Sequence, residues 1–313
     1  WSEMIEMGWT GILVPEDLGG LGYGYTGIGL LLEESGRTLT PCPLQSTSLV
    51  GVAALLTAAS DEQQQALLPR VASGEHLLAL ACDEGARHDP ARVDCQADEQ
   101  PGGWRLNGTK TAVVDGHVAD TLIVSARTGR GVSLFLVPAD LPGLEITRTA
   151  ILDTHVQAHV EFDQVVLGEE HLLGVKDLAE QSLHHILDVA RIGAAAEMLG
   201  LAQEAFERTL EYLKQRKQFG VPIGSFQALQ HRAALLFGEL ELCKSLVLKS
   251  LHALDEGQDD VSELASLSKA KTDETARLAT AEAISLSSLF FMTDDFDICI
   301  VLKRYRTLAN LKI

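Results

Sequence analysis

Arg216-Lys217-Gln218-Phe219-Gly220-Val221-Pro222-Ile223-Gly224-Ser225-Phe226-Gln227 closes one long helical stretch and opens another. Gly220 and Pro222 are residues that stop a helix. A cation, an aromatic ring and a glycine meet at this corner, with an amide one turn into the next helix. An Arg forks onto a pyrophosphate and a Phe ring stacks on an adenine, so the set suits an anionic dinucleotide. A plain corner explains the same residues, with Phe219 in the core and Arg216 a solvated charge favoured by the helix dipole. Spacing alone favours the plain corner.

Upstream of this corner, Leu183, Ile186, Leu187, Ala190 and Ala194 form one apolar stripe of helical period. Downstream, Leu229, Ala233, Leu236, Leu240, Cys243 and Val247 alternate steps of four and three, the seam of a packed helix pair or bundle. A third helix is expected from about Ser262 and a fourth around Ile298–Ala309, which together fit an up-down bundle. The segment before them has strand character. Leu77–Ala81, Thr111–Val114, Leu122–Ala126, Val132–Val137, Leu144–Thr147 and His159–Phe162 are short β-rich runs. Turn signals at Pro101-Gly102-Gly103, Asn107-Gly108, Gly129–Gly131 and Leu141-Pro142-Gly143 separate them. Residues 1–76 read as helical, with helices over Ile28–Ser35 and Asp61–Val71, the latter capped by Asp61. The glycines at 19, 20, 22 and 24 follow no strand, so they read as a helix connector rather than a dinucleotide fingerprint. The expected fold is mainly α with a middle β-domain. Residues 1–76 form an N-terminal helical domain, 77–170 a β-sandwich or barrel, and 171–313 a C-terminal four-helix bundle.

The 313 residues suffice for two or three domains and a sizeable core. The 25 Lys+Arg against 44 Asp+Glu give a net charge of −19, which argues against nucleic acid and anionic membranes as partners. No run of about 18 apolar residues reads as a membrane span. The five cysteines (Cys42, Cys82, Cys95, Cys243 and Cys299) show no metal spacing and suit free thiols in a reducing cytosol. The chain begins at Trp1 rather than Met, so a further N-terminal segment is expected.

The opening stretch, written R-K-Q-F-G-x-P-I-x-x-F-Q, resembles the signature of the acyl-CoA dehydrogenases. The likeness extends over nearly the whole chain. Gly8-Trp9-Thr10-Gly11-Ile12 and Val14-Pro15-Glu16-Asp17-Leu18-Gly19-Gly20-Leu21-Gly22 resemble the first-domain motif of that family. Leu106-Asn107-Gly108-Thr109-Lys110 and Ala119-Asp120 resemble its β-domain hairpin, and Met292-Thr293-Asp294-Asp295 and Leu302-Lys303-Arg304 its last helices. The resemblance implies FAD-dependent α,β-dehydrogenation of an acyl-CoA thioester, in a homo- or hetero-oligomer built as a dimer of dimers. An electron-transfer flavoprotein is the implied electron acceptor.

The resemblance also implies a base, a flavin-facing strand and a grip on the flavin's phosphates. The two base positions fall on Ala190, just before Arg191, and near Lys312; neither is a carboxylate. Asp188 and Glu197 lie on the same helix and read as solvated charges. The catalytic residue is therefore left unassigned. The flavin motif T-E-P-G-A-G-S-D becomes Cys82-Asp83-Glu84-Gly85-Ala86-Arg87-His88-Asp89. The flavin-facing strand, W-I-T or F-I-T in the family, becomes Ala112-Val113-Val114, without the aromatic plate and the hydroxyl. Cys82, Val113 and Val114 are the expected contacts to the chain's own cofactor. Arg216, Phe219 and Gln227 are the expected contacts to the FAD of a neighbouring subunit. The glycine motif that accompanies them is replaced by Ser285–Phe291. These departures favour a non-catalytic structural subunit of a mixed complex as the alternative function.

Overall fold

The computed structural model describes residues 1–149, 151 and 156–287. The helix expected at Ile298–Ala309, the last-helix motifs, Ser288–Phe291, Arg304, Arg306 and Lys312 lie outside the described residues. By internal contacts the chain divides into two compact units. Among the described residues, one combines Trp1–Ile28 with Pro41–Ala190, the other Gly29–Thr40 with residues 191–287.

The first unit begins with α1 (Ser2–Glu6) and the glycine-rich connector into α2 (Gly24–Thr38). Gly19, Gly22 and Gly24 all take positive φ, and a Cβ on Gly20 would lie 2.0 Å from the Val14 carbonyl oxygen. The stretch is a tight backbone turn, as a connector requires. Leu44–Gly51 is an eight-residue π-helix whose residues are all buried, followed by α3 (Val52–Ala58). The next helix, α4 (Asp61–Ala72), is capped by Ser60 rather than Asp61. Ser60 accepts from the Gln63 amide while the Gln63 side chain returns to the Ser60 amide, a capping box that leaves Asp61 as the first helical residue.

Eight strands follow: β1 (Leu78–Ala81), β2 (Gln96–Gln100), β3 (Gly103–Val114), β4 (Thr121–Thr128), β5 (Gly131–Pro138), β6 (Leu144–Thr149), β7 (Gln157–Gly168) and β8 (Leu172–Leu173). They pair in the order β6-β7-β3-β2-β4-β5-β8, with β1 parallel to β4. One core takes residues from both ends of this order, including Trp104, Leu106, Val113, Leu122, Phe135, Val160 and Phe162. Trp104 and Phe135 meet edge-on at 5.4 Å.

Two sequence readings need correction here. Asn107-Gly108 is not a turn. It lies inside β3, where the register against β7 shifts between Leu106 and Gly108. Gly108 has φ +140 and passes so close to Cys95 that a Cβ would lie 2.8 Å from its Cα. The glycine marks a bulge and a close approach. The turn is at Pro101-Gly102, and it joins β3 to β2, a strand not expected from the sequence. Four of the five β2 residues are exposed, so its composition carries no apolar alternation.

In the second unit, the rest of α2 packs with the later part of α5 (Glu180–Gln215), with α6 (Gln227–Asp255) and with α7 (Val261–Ser287). The apolar stripe of α5 is buried as expected, from Leu183 at 2 % exposure to Ala194 at 0 %. The α6 seam closes on α7 within the chain, where the Cys243 thiol lies 3.2 Å from the Thr275 hydroxyl. Leu236, Leu240, Cys243 and Val247 are buried, while Leu229 and Ala233 are only half-buried. Away from the seam, Leu235 and Leu242 share a face of α6 and are exposed at 72 % and 60 %, whereas Phe237 turns toward Phe206 of α5 at 6.3 Å between ring centroids.

Candidate functional site

The corner after α5 is neither a bare loop nor part of the core. Lys217–Gln218 (β9) and Val221–Pro222 (β10) pair antiparallel, Val221 opposite Gln218 and Pro222 opposite Lys217. The two residues left to turn the hairpin are Phe219 and Gly220, with φ of +52 and +82. Positive φ at both central positions is the type I′ turn, which Asn-Gly normally supplies. A phenylalanine there costs about 1–2 kcal/mol of backbone strain. Its ring is not repaid by burial, because Phe219 is 91 % exposed. Phe226 braces it edge-on at 6.2 Å between centroids.

Arg216 is half-buried at the base of this hairpin, and its carbonyl accepts from the Ile223 amide at 2.8 Å. Lys217 and Gln227 are exposed, and Gln227 is the first residue of α6 rather than one turn inside it. Gln230 donates to the Gly224 carbonyl at 2.9 Å and ties the hairpin to the helix. A presented aromatic ring, a cation at its base and an adjacent basic residue fit an anionic dinucleotide.

The second candidate region lies in the β-domain. Cys82 is buried at the end of β1, and Val113 is buried in the sheet core at 1 % exposure. Val114 is half-buried. Between them Ala112 takes φ +55 at a second register shift of β3. The Thr111 amide donates to the Asp83 carbonyl at 2.7 Å, and its hydroxyl to the Gly85 carbonyl at 3.2 Å. These bonds hold the loop leaving β1 against the end of β3.

A buried ion pair anchors that loop. Lys110 Nζ lies 2.5 Å from Glu84 Oε1 and 3.0 Å from the Ser125 hydroxyl, and its side chain has no solvent exposure. Glu84 also accepts from the amides of Asp94 and Cys95, so one carboxylate ties both ends of the 85–93 loop together. Burial pushes the neighbouring Cys95 thiol up to about 12, which keeps it protonated and unreactive. Inside the loop His88 Nδ1 lies 3.0 and 3.2 Å from the two oxygens of Asp83, a carboxylate only 4 % exposed. Sequence reading recorded His88 only as a departure from a motif. The partnership was not visible, because it depends on how the loop folds back.

The third region surrounds Ala190, which is 2 % exposed. Gln45 of the π-helix donates to the Ala190 carbonyl at 3.4 Å. Ser46 donates to the buried carboxylate of Asp115 at 2.7 Å, and Thr47 to the Leu78 carbonyl at 2.9 Å. Asp188 and Glu197 are not solvated charges, for they are exposed by only 5 % and 1 %. Their burial was missed because they stand between apolar residues on a helix that is covered nearly all round.

These regions do not fit a flavin equally. The hairpin presents the Phe219 ring and Lys217 to solvent, with Arg216 half-buried at its base. The β-domain face has alanine and valines where a plate and a hydroxyl are needed, and its loop is occupied by an internal Asp–His pair. Among the described residues no cluster of His, Cys, Asp and Glu could hold a metal ion, and no helix is long and apolar enough to cross a membrane.

Comparison with known proteins follows the same division. The chain matches the acyl-CoA dehydrogenase N-terminal domain over residues 1–75, the middle domain over 79–165 and the C-terminal domain over 181–295. It is 31 % identical to a mitochondrial 2-methylacyl-CoA dehydrogenase of Solanum tuberosum, over 83 % of this chain and 66 % of that protein. It is also 31 % identical to a probable acyl-CoA dehydrogenase, YngJ, of Bacillus subtilis, over 91 % of this chain and 78 % of that protein. The chain thus spans about two thirds to four fifths of the length of these relatives. Among solved structures, a steroid ACAD variant designated Tcur3481-Tcur3483 superposes with a TM-score of 0.89 at 34 % identity, covering 100 % of this chain and 83 % of that one. A glutaryl-CoA dehydrogenase in complex with glutaryl-CoA superposes with a TM-score of 0.92 at 26 % identity, covering 99 % and 83 %. Helical start, central sheet and helical end, matched in order by three domain families, make this chain a member of the acyl-CoA dehydrogenase family.

Proposed function

We propose that this chain serves FAD-dependent α,β-dehydrogenation of an acyl-CoA thioester as one subunit of a mixed oligomer. Its Phe219 hairpin is lent to the FAD of a neighbouring chain. The observation that supports this is Phe219 itself, strained at φ +52 and 91 % exposed. Strain without burial is a feature that packing does not explain and that ligand contact does. Phe219 stacks on the adenine, Arg216 and Lys217 offset the pyrophosphate charge, and Gln227 offers an amide at the helix start.

A bound FAD supplies the hydride acceptance of the reaction. The α-proton needs a base, and the family positions carry Ala190 and Lys312 instead. The isolated chain is therefore expected to turn over acyl-CoA very slowly, since a general base contributes roughly 10²–10⁴-fold. The exposed Leu235 and Leu242 of α6 offer an apolar patch for a partner subunit, and a dimer of dimers is the expected assembly. The steroid ACAD at 34 % identity favours a bulky acyl group. An electron transferring flavoprotein of Acidaminococcus fermentans is the subject of a structure 27 % identical to this chain, and such a protein is the expected electron acceptor. The reducing cytosol is the expected compartment, in keeping with Cys42, Cys82, Cys95 and Cys243 lying outside any disulfide.

The test is co-expression with a candidate partner chain of the same family. The purified complex should show the visible flavin band and bleach it on addition of an acyl-CoA. A monomer by light scattering at micromolar concentration, with no complex formed and no flavin in any preparation, would refute the reading.

A further inference from the structure

In this chain the loop that resembles the family's flavin motif is fastened from the inside. Lys110 and Glu84 clamp its two ends through the Asp94 and Cys95 amides. Thr111 holds its inner edge through Asp83 and Gly85. Within that frame His88 stands where the motif has serine and Arg87 where it has glycine. His88 Nδ1 meets both oxygens of Asp83, at 3.0 and 3.2 Å. A carboxylate accepts only, so Nδ1 is the donor and the ring is fixed in one orientation. His88 Nε2 is buried and has no hydrogen-bond partner. The imidazole is partly buried, its side chain 21 % exposed, with Nδ1 on Asp83 and Nε2 enclosed.

We infer that the Asp83–His88 pair is an internal latch that occupies the place of a bound dinucleotide and keeps FAD out of this chain's own cradle. The inference rests on the reading of the chain as a subunit that completes a neighbour's site. Three physical consequences support it. A small hydroxyl has given way to a ring, so the space is taken. A phosphate entering here approaches the buried Asp83 carboxylate, and like charges repel. Drawing His88 away to make room leaves that carboxylate buried without its partner, the costly way to break a buried pair. The Ala112-Val113-Val114 segment offers no hydroxyl or ring to offset those costs.

The experiment is flavin binding by the full chain, purified alone and with its co-expressed partner. Each preparation is incubated with FAD, freed of excess by gel filtration and assayed for flavin per chain. Wild-type chain alone should retain none. The Arg87→Gly/His88→Ser variant should quench FAD fluorescence with a dissociation constant at least about tenfold lower than wild type, the scale of one charged hydrogen bond. Asp83→Asn, which keeps the shape and removes the charge that holds His88, is the second variant and should shift binding in the same direction. Hydrogen exchange at residues 85–93 reports the latch without any cofactor, and protection should fall in both variants. One FAD per wild-type chain when alone would overturn the latch, and so would unchanged FAD affinity in both variants with native circular dichroism. Either result leaves the dehydrogenation reading standing. That reading falls separately, if the mixed complex never bleaches with any acyl-CoA.

Discussion

The backbone of Gly200 in α5 lies directly against the carbonyl oxygen of Glu33 in α2, where an added Cβ would be 1.8 Å away. The reverse contact has the same form, since a Cβ on Gly36 of α2 would lie 2.0 Å from the Glu197 carbonyl oxygen. Two glycines thus let two helices of the second unit touch through their main chains. Gly200→Ala should be destabilising by about 3 kcal/mol, the upper part of the usual range for overpacking, because a carbonyl cannot move aside as a side chain does. Gly238→Ala is the matched control. Nothing lies within 4 Å of a Cβ there, and replacing glycine in an open helical site should add roughly 0.5–1 kcal/mol. Urea midpoints of the two variants, moving in opposite directions, are the check.

The ion pair under the 85–93 loop should behave as a buried pair does. Lys110→Met leaves Glu84 charged and enclosed, and should cost about 3–5 kcal/mol. Adding Glu84→Gln removes that charge while keeping an acceptor for the Asp94 and Cys95 amides, so the double variant should recover part of the loss. A double variant no more stable than Lys110→Met would show that the charge pairing is not what holds the site.

Asp177 sets an acid limit on the β-domain. The Thr128 hydroxyl at 2.9 Å, then the Gly131 and Arg130 amides and the Lys176 charge, hold its carboxyl below the usual carboxylate range. A folded-state value depressed below the unfolded one gives stability that is present above the unfolded value. That stability is lost as pH falls through the folded one. The loss begins below about pH 4, since the ordinary value is 3.8. Asp177→Asn should flatten the decline of the denaturation midpoint in that acid window and leave neutral pH slopes unchanged. Identical acid slopes for wild type and variant would remove Asp177 from the account.

Phe219 allows structure and function to be separated by one substitution. Phe219→Gly relieves the strain of φ +52 and should hold or raise the melting temperature. In the mixed complex it should nevertheless lower FAD retention, since base–aromatic stacking is worth roughly 1–3 kcal/mol. Arg216→Ala should lower retention as well. Full flavin content in both variants would return the hairpin to the status of a plain corner.

The succession of helices, strands and helices was legible because burial writes its period into sequence. The stripe at Leu183, Ile186, Leu187 and Ala190 and the seam at Leu236, Leu240, Cys243 and Val247 are buried as their spacing requires. Strand β2 was not legible, because an exposed strand carries no alternation. Asn107-Gly108 misled for a different reason: glycine serves a bulge as well as a turn, and only the Cys95 backbone beside it decides between them. The burial of Asp188 and Glu197 was hidden because a charge on a helix says nothing of what covers it. At the candidate site the residue types at Arg216, Phe219 and Gln227 were visible in the chain. The positive φ and exposure that single out Phe219 are properties of the backbone alone.

The hairpin also bears on how this chain has been shaped over time. A two-residue turn that only had to reverse direction would drift toward asparagine or glycine at its first position, because every such change is downhill in backbone energy. Phe219 sits uphill of that drift, with its ring in water. On the proposed reading, the loss borne in the free chain is offset by the contact that the ring makes with a neighbour's cofactor. On that reading the isolated subunit is the wrong reference for judging this loop.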